Sequence, residues 1–403
     1  MEIKPILSAL KRNKVGAILI AAQMALTMTI IVNAVFMINE RQSQIDRPSG
    51  VDEDNVFVFS YSGFAKDYNE RVQLMSDLDY IRQLPGVVSA VQSNSAPLIG
   101  GGWSMSLATE AGSDSNGTGT AIYFTDERGL DAYGVKLIAG RNFTENEVTW
   151  RERTDRNWPG QTIITKALAE QLFEDNWQDA LGKTTYIAEQ QPVKIIGIIE
   201  RMQAPWNGWN GLERSMLVPQ RTLFGSARII VRTEPGQVER LMTEVEEGLL
   251  ANYKGRLIKR VRSMNEIRER SYRAHSGMNT ILTTLVIALT IVTALGIIGL
   301  ASFSVNRRRK QIGTRRALGA TKLDIMRYFL LENFIISTFG IVLGIGLTIG
   351  LNIVLVNALD LPRIDWYYIP AGMLVLWVIG LLSVYGPARK ACAISPAIAT
   401  RSV

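Results

Sequence analysis

Few residues of this 403-residue chain have the type and spacing that catalysis or metal binding requires. With one cysteine, Cys392, and one histidine, His275, a disulfide within the chain and a Cys/His metal cluster are both excluded. Gly182-Lys183-Thr184 matches the end of a phosphate-binding loop, but that motif needs a glycine at position 177, which is Trp. No Ser-His-Asp or paired-carboxylate arrangement stands out. We therefore predict no catalytic residue, no bound cofactor and no metal site.

Four long stretches without a charged residue or histidine are the main feature of the sequence. They are residues 15–38, 277–305, 333–359 and 366–388. About 20 apolar residues suffice for a helix to cross a bilayer core, so we predict four transmembrane helices. None of them holds the ionisable residue that usually couples proton or sodium movement to transport, which argues against an ion-driven transporter.

Glycines in the third stretch recur at the small-xxx-small spacing that lets membrane helices approach closely. They are Gly340, Gly344, Gly346 and Gly350. We expect these glycines at helix–helix contacts, either within this chain or with a second copy.

Lysine and arginine are concentrated beside the predicted spans, although the net charge of +7 could also suggest a nucleic-acid partner. Cytoplasmic flanks of membrane proteins are rich in these residues. We therefore predict that both termini and the basic loop 306–332 are cytoplasmic, that residues 39–276 are outside, and that no nucleic acid binds. Residues 1–14 have the pattern of an amphipathic helix in contact with membrane lipids, and 389–403 form the cytoplasmic tail.

The predicted outer segment 39–276 mixes strand-like and helical patterns. Val193–Ile199 is strand-like and Lys166–Phe173 is helical, so we expect a mixed α/β domain. The charged segment 254–273 predicts a solvated stalk helix that leads into the second span. Trp206 and Trp209 lie in a glycine-containing turn, where local packing is the usual role and contact with a partner is the alternative.

The loop 306–332 has the clearest local pattern. It reads Arg307-Arg-Arg-Lys-Gln-Ile-Gly-Thr-Arg-Arg-Ala-Leu-Gly-Ala-Thr-Lys-Leu-Asp324 before a helical run that ends in Leu-Leu-Glu332. Gly319-Ala320 interrupts the first helix, and Thr321 with Asp324 forms a predicted capping box for the next. We expect a short helix, a tight turn and a second helix that continues into the third span.

This loop resembles the signature of MacB/FtsX-type ABC transporter permeases, which is roughly Arg-x-x-Glu-Ile-Gly-x-Arg-Arg-Ala-Leu-Gly-Ala-Thr. The tail from Tyr385 to Arg401 is similar to the ending of the same family, and Leu84-Pro-Gly-Val87 and Gly140-Arg-Asn-Phe143 fall in the order of MacB-like periplasmic domains. Gln311 departs from the pattern, which usually has Glu there.

The resemblance implies a four-span bacterial inner-membrane permease that pairs with a second copy or a related permease. A separate dimeric ABC ATPase would bind ATP and Mg, because this sequence carries no ATPase domain. The outer domain would comprise a porter-like part, residues 41–110 and 215–275, and an inserted lobe. By resemblance the ATPase-coupling residues are Ile312, Gly313, Arg315, Arg316, Ala317, Leu318, Gly319 and Ala320.

Three functions remain open at this stage. The first is a non-enzymatic permease subunit that exports peptide-like or amphipathic substrates with a periplasmic adaptor and an outer-membrane channel. The second is an FtsX-like regulator of cell-wall hydrolases, and the third is lipoprotein extraction of the LolC/LolE kind. The large two-part outer domain favours the first.

Overall fold

A computed structural model describes residues 14–112, 117–174, 176–359 and 362–396. The chain forms two compact units, one made of residues 1–46 with 275–403 and the other of residues 47–274. The helix predicted over residues 1–14 lies outside the described residues except for Lys14, as does the tail beyond residue 396.

Helices and strands alternate in the second unit, whereas the first unit is helical. The helices are α1 (Lys14–Ile45), α2 (Glu70–Gln83), α3 (Gly129–Tyr133), α4 (Lys166–Leu172), α5 (Val238–Asn252), α6 (Met264–Arg307), α7 (Arg309–Ala317), α8 (Lys322–Leu359) and α9 (Tyr368–Cys392). The strands are β1 (Val56–Gly63), β2 (Val87–Ser93), β3 (Trp103–Ala108), β4 (Thr118–Thr125), β5 (Leu137–Gly140), β6 (Thr149–Glu152), β7 (Gln161–Thr165), β8 (Thr184–Ile187), β9 (Gln191–Ile199), β10 (Ser215–Leu223), β11 (Ala227–Thr233) and β12 (Arg256–Ser263).

Within the described residues, α1, α6, α8 and α9 are long and apolar enough to cross a membrane. Each is longer than about 20 residues, the length that spans the hydrocarbon core. The predicted fold class, four transmembrane helices with a mixed α/β domain, is confirmed.

The glycines of α8 divide into two pairs with different surroundings. A Cβ on Gly340 would stand 2.5 Å from the carbonyl oxygen of Ala21, and one on Gly344 would stand 2.7 Å from the Cβ of Met28. A Cβ on Gly346 or Gly350 would meet no heavy atom within 4 Å. Two residues turn a helix by about 200°, so the second pair faces away from α1. The structure therefore places the first pair at a contact within the chain, and contact of the second pair with another copy stays a prediction.

Polar side chains of α1 bond to neighbouring helices inside the bundle. Asn33 donates to the carbonyl of Thr348 at 3.3 Å, and the hydroxyls of Thr27 and Thr293 lie 2.8 Å apart. Such bonds satisfy polar groups that hydrocarbon cannot solvate.

The second unit, residues 47–274, which we call the outer unit, contains a four-stranded antiparallel sheet in the order β12-β1-β11-β2. Helices α2 and α5 pack on it around a core that includes Phe57, Phe59, Leu78 and Leu241. The connection β-α-β followed by β-α-β in this spatial order is the ferredoxin-like arrangement.

A second sheet, which we call the inserted sheet, is formed by the chain segment that connects β2 to β11 of the first sheet. Its strands run β4-β3-β8-β9-β7-β10, and β10 pairs in parallel with β4, so this part of the sheet closes on itself. Strands β5 and β6 attach to β9 and β10. Closure leaves the paired strands without an open edge.

Two details of the predicted outer domain are wrong. The division at residues 110 and 215 is misplaced, because β3 and β10 belong to the inserted sheet through their pairing with β4. The predicted stalk helix 254–273 begins only at Met264, since Arg256–Ser263 forms β12. This strand lies at the edge of the sheet, where charged side chains are common because they discourage further pairing.

The two glycine environments predict opposite effects of the same substitution. Gly340→Ala places a methyl group against the backbone of α1 and should destabilise the protein by about 1–3 kcal/mol, as overpacking does. Gly350→Ala is the matched control, because it makes the same change on the open side of α8. The measurement is the temperature at which half of the monodisperse protein peak is lost when the protein is heated in detergent. Equal midpoints for the two variants would contradict the described contact.

Candidate functional site

The tight turn between α7 and α8 has a specific backbone geometry. The amide of Ala320 donates to the carbonyl of Arg315 at 3.0 Å, and Gly319 has a φ of +97°. This left-handed conformation favours glycine at a helix C-terminus. Thr321 and Asp324 then exchange backbone-to-side-chain hydrogen bonds of 3.0 and 3.2 Å, which is the predicted capping box.

One side of α7 is buried against the helical bundle. Ile312 is 4% exposed and belongs to the same apolar cluster as Ile325 and Phe329 of α8. Gly313, beside it, is also buried. These two candidate residues therefore hold α7 in place and are not available to a partner.

Arg316 connects α7 to the end of α9. Its Nη1 donates to the carbonyl of Cys392 at 2.6 Å, and the Cys392 thiol lies 3.1 Å from the carbonyl oxygen of Lys322 at the start of α8. Three helix ends thus meet at this point. A charged hydrogen bond of this kind typically contributes about 1.5–3 kcal/mol.

A salt bridge joins the junction of α6 and α7 to α8. Arg308 lies between the two helices and donates to Glu332 at 2.9 Å and to the Tyr328 hydroxyl at 3.4 Å. The guanidinium of Arg315 lies 4.8 Å from the ring centre of Tyr328. The sequence did not predict site roles for Arg308, Tyr328, Glu332 or Cys392. An acidic residue at the border of an apolar stretch, such as Glu332, is a usable signal for a paired charge.

The remaining candidate residues, apart from Ala320, which is half-buried against the bundle core, form an exposed surface at the turn. Arg315, Ala317 and Gly319 are exposed, and the side chain of Leu318 is 84% exposed. Gln311 is exposed on the preceding turn of α7. We call Gln311, Arg315, Ala317, Leu318 and Gly319 the turn surface. It presents an aliphatic side chain beside positive charge, on a helix whose opposite side is fixed.

The two candidate tryptophans pack together. The rings of Trp206 and Trp209 lie 5.8 Å apart at 81°, and atoms of Trp209 lie within 3.0 Å of a Cβ built on Gly211. The two tryptophans thus pack locally, and contact with a partner stays a prediction.

No group of three or more His, Cys, Asp or Glu residues suited to a metal ion occurs among the described residues.

The structure combines four candidate spans, a short helix with one buried and one exposed side at one end of the bundle, and a large α/β unit, as expected of a multi-span membrane protein. Comparison with known families makes this specific. The MacB-like periplasmic core domain matches residues 15–247, and the FtsX-like permease C-terminal domain matches residues 283–396. The chain therefore belongs to the MacB/FtsX-type ABC transporter permeases.

Two relatives illustrate the extent of the similarity. The "Uncharacterized ABC transporter permease YknZ" of Bacillus subtilis (strain 168) is 27% identical over 282 residues, 68% of this chain and 67% of that protein. The "Macrolide export ATP-binding/permease protein MacB" of Aggregatibacter actinomycetemcomitans is 24% identical over 357 residues, 85% of this chain and 51% of that protein. The chain thus spans about half the length of the MacB relatives that it matches.

Two solved structures are similar to about half of the chain. The extracellular domain of YknZ aligns with a TM-score of 0.31 and 20% identity over 50% of this chain and 100% of that chain. The periplasmic region of MacB from Actinobacillus actinomycetemcomitans aligns with a TM-score of 0.34 and 18% identity over 57% of this chain and 97% of that chain.

The hydrogen bond from Arg316 to the Cys392 carbonyl leads to a prediction about the rate at which the Cys392 thiol reacts with maleimide. Arg316→Ala removes the hydrogen bond that holds the end of α9, so the rate of maleimide labelling in detergent should rise about tenfold, as loss of a charged hydrogen bond implies. Because the chain has one cysteine, labelling reports on this position alone. Arg315→Ala is the matched control and should leave the rate unchanged. If both variants label at the wild-type rate, the described anchor does not hold α9.

Proposed function

We propose that this chain is the membrane subunit of an ATP-driven exporter in a bacterial inner membrane. It acts with a second copy or a related permease, and a separate ABC ATPase dimer binds the turn surface from the cytoplasm. Both chain termini lie on the cytoplasmic side and residues 47–274 lie in the periplasm. The chain itself performs no chemistry, and it binds neither ATP nor metal.

The observation that carries the proposal is the contrast between the two sides of α7. Its inner side is fixed by Ile312, Gly313 and Arg316, while Leu318 and Arg315 are open to a partner. An exposed aliphatic residue beside a cation suits a protein–protein contact, in which a few central residues provide most of the affinity. A membrane anchor alone would need the charge and not the exposed leucine.

Movement of the turn surface would reach two membrane helices through the contacts described above. Arg308 separates α6 from α7 and is paired with Glu332 of α8. Helix α6 continues without interruption from Met264 to Arg307. In the proposed mechanism, closure of the ATPase dimer displaces α7, and α6 and α8 follow because they are joined to it by covalent and ionic contacts.

The cargo that we propose is peptide-like or amphipathic material taken from the periplasm, with a periplasmic adaptor and an outer-membrane channel as further partners. The FtsX-like and LolC/LolE-like alternatives predict other companions, namely a cell-wall hydrolase or a lipoprotein carrier. Purification of the tagged full chain from its own bacterium, followed by identification of the retained subunits, separates the three. Absence of any ABC ATPase from that preparation would overturn the proposal.

Leu318 provides the sharpest test of the binding surface. Leu318→Asp should reduce the amount of co-purifying ATPase at least tenfold, because loss of a central interface side chain typically costs about 2 kcal/mol or more. Leu257→Asp is the matched control, since Leu257 is 52% exposed but lies on β12 of the outer unit. Both variants should be recovered in the membrane in equal amounts. Full retention of the ATPase by the Leu318 variant would exclude the turn surface as its binding site.

A further inference from the structure

A cavity of about 300 Å³ lies in the outer unit, where the chain crosses between the ferredoxin-like sheet and the inserted sheet. Residues from β1, β2, β3, β10, β11 and β12 line it, together with the segments that follow β2 and β10. This volume is at the lower end of the range for small-molecule sites, about 300–1,000 Å³. Neither the family match nor the proposed coupling role assigns a use to it.

Positive charge without a neutralising carboxylate distinguishes this cavity. Arg228, Lys259 and Arg260 all line it, and none of its lining residues among those described is Asp or Glu. Arg228 donates from Nε to the Ser60 hydroxyl at 3.3 Å and from Nη1 to the carbonyl of Asn94, which fixes the direction of its guanidinium. Burial lowers the pKa of Arg228, the interaction with Tyr133 opposes this, and repulsion from Arg260 lowers the pKa further. An anion between these side chains would remove that repulsion.

The backbone at Arg260 is strained. Its φ is +59°, in the left-handed region that side chains other than Gly, Asn and Asp seldom adopt. The strain coincides with a shift of register between β1 and β12 at Val58 and Ser60. Such bulges redirect a side chain, and strained residues are concentrated at functional sites. Here the redirected side chain lines the cavity.

An exposed aromatic surface completes the cavity. The rings of Trp103 and Phe224 are stacked with centroids 5.6 Å apart at 12°, and Trp103 remains 40% exposed. The exposed part of the Trp103 indole can bury apolar surface of a ligand next to the cations. The cavity therefore combines contacts for an anionic group with contacts for an apolar one.

We propose that this cavity binds an amphipathic organic anion, with a carboxylate between Arg228 and Arg260 and an adjoining aromatic or other apolar group on Trp103. This inference goes beyond the proposed function, because it concerns binding by the outer unit and requires no ATPase. If the exporter role also holds, molecules of this class are candidates for its cargo. Each inference can fail without the other, since the ATPase co-purification and the ligand titration are separate measurements.

The test is isothermal titration calorimetry of the purified full chain in detergent, with 2-naphthoate as the probe and empty micelles as the blank. The wild type should bind 2-naphthoate saturably and should show no saturable heat with the neutral analogue 2-naphthalenemethanol. Arg260→Asn should weaken binding about tenfold or more, as loss of a charged contact implies, while asparagine tolerates the left-handed backbone. Trp103→Ala should also weaken binding.

Lys194→Gln is the matched control, because Lys194 is an exposed cation on β9 outside the cavity. It should bind 2-naphthoate as the wild type does. The proposal is overturned if the wild type gives no saturable binding, if the neutral analogue binds equally well, or if Arg260→Asn binds like the wild type. Equal losses in Arg260→Asn and Lys194→Gln would also overturn it, since they would indicate attraction by net charge alone.

Discussion

Helices α1 and α8 approach each other closely because Gly340 and Gly344 have no side chains at their contact. In a bilayer no hydrophobic force favours one helix neighbour over lipid, so close packing and internal hydrogen bonds must provide the preference. The bonds from Asn33 and Thr29 to carbonyls of α8 depend on this distance. Helix α9 packs on the same pair and carries the carbonyl that Arg316 binds. The position of the turn surface thus depends on a contact inside the membrane.

The turn surface and the cavity use positive charge in different ways. At the bundle end, Arg308 pairs with Glu332 and Arg316 donates to a backbone carbonyl, so both arginines hold helices together. In the cavity, Arg228 and Arg260 share a lining without a carboxylate among the described residues. Arg228 is half-buried, and a half-buried cation without a counter-charge is unfavourable, so we expect an anionic ligand at the cavity and a structural role for the paired arginines of the bundle end.

Local patterns made part of this molecule predictable. Long uncharged stretches are sufficient to identify membrane-spanning helices, and Gly319 with the Thr321–Asp324 pair was sufficient for the helix, turn and helix. The opposite orientations of Gly344 and Gly346 follow from helical geometry and could also have been predicted. The strand at Arg256–Ser263 could not, because its charges mimic a solvated helix until β1 is known to pair with it. Closure of the inserted sheet depends on β4 and β10, which lie about 100 positions apart, and the cavity depends on the same distant pairings.

The inserted sheet leaves and rejoins its host at neighbouring points, since Ser93 at the end of β2 lies opposite Arg228 near the start of β11. A lobe connected in this way can change in size and shape while the host sheet keeps its hydrogen-bonding pattern. The inserted lobe can therefore be remodelled in evolution without disturbing the host sheet. Chimaeras that exchange the segment between these two junctions have a natural pair of splice points.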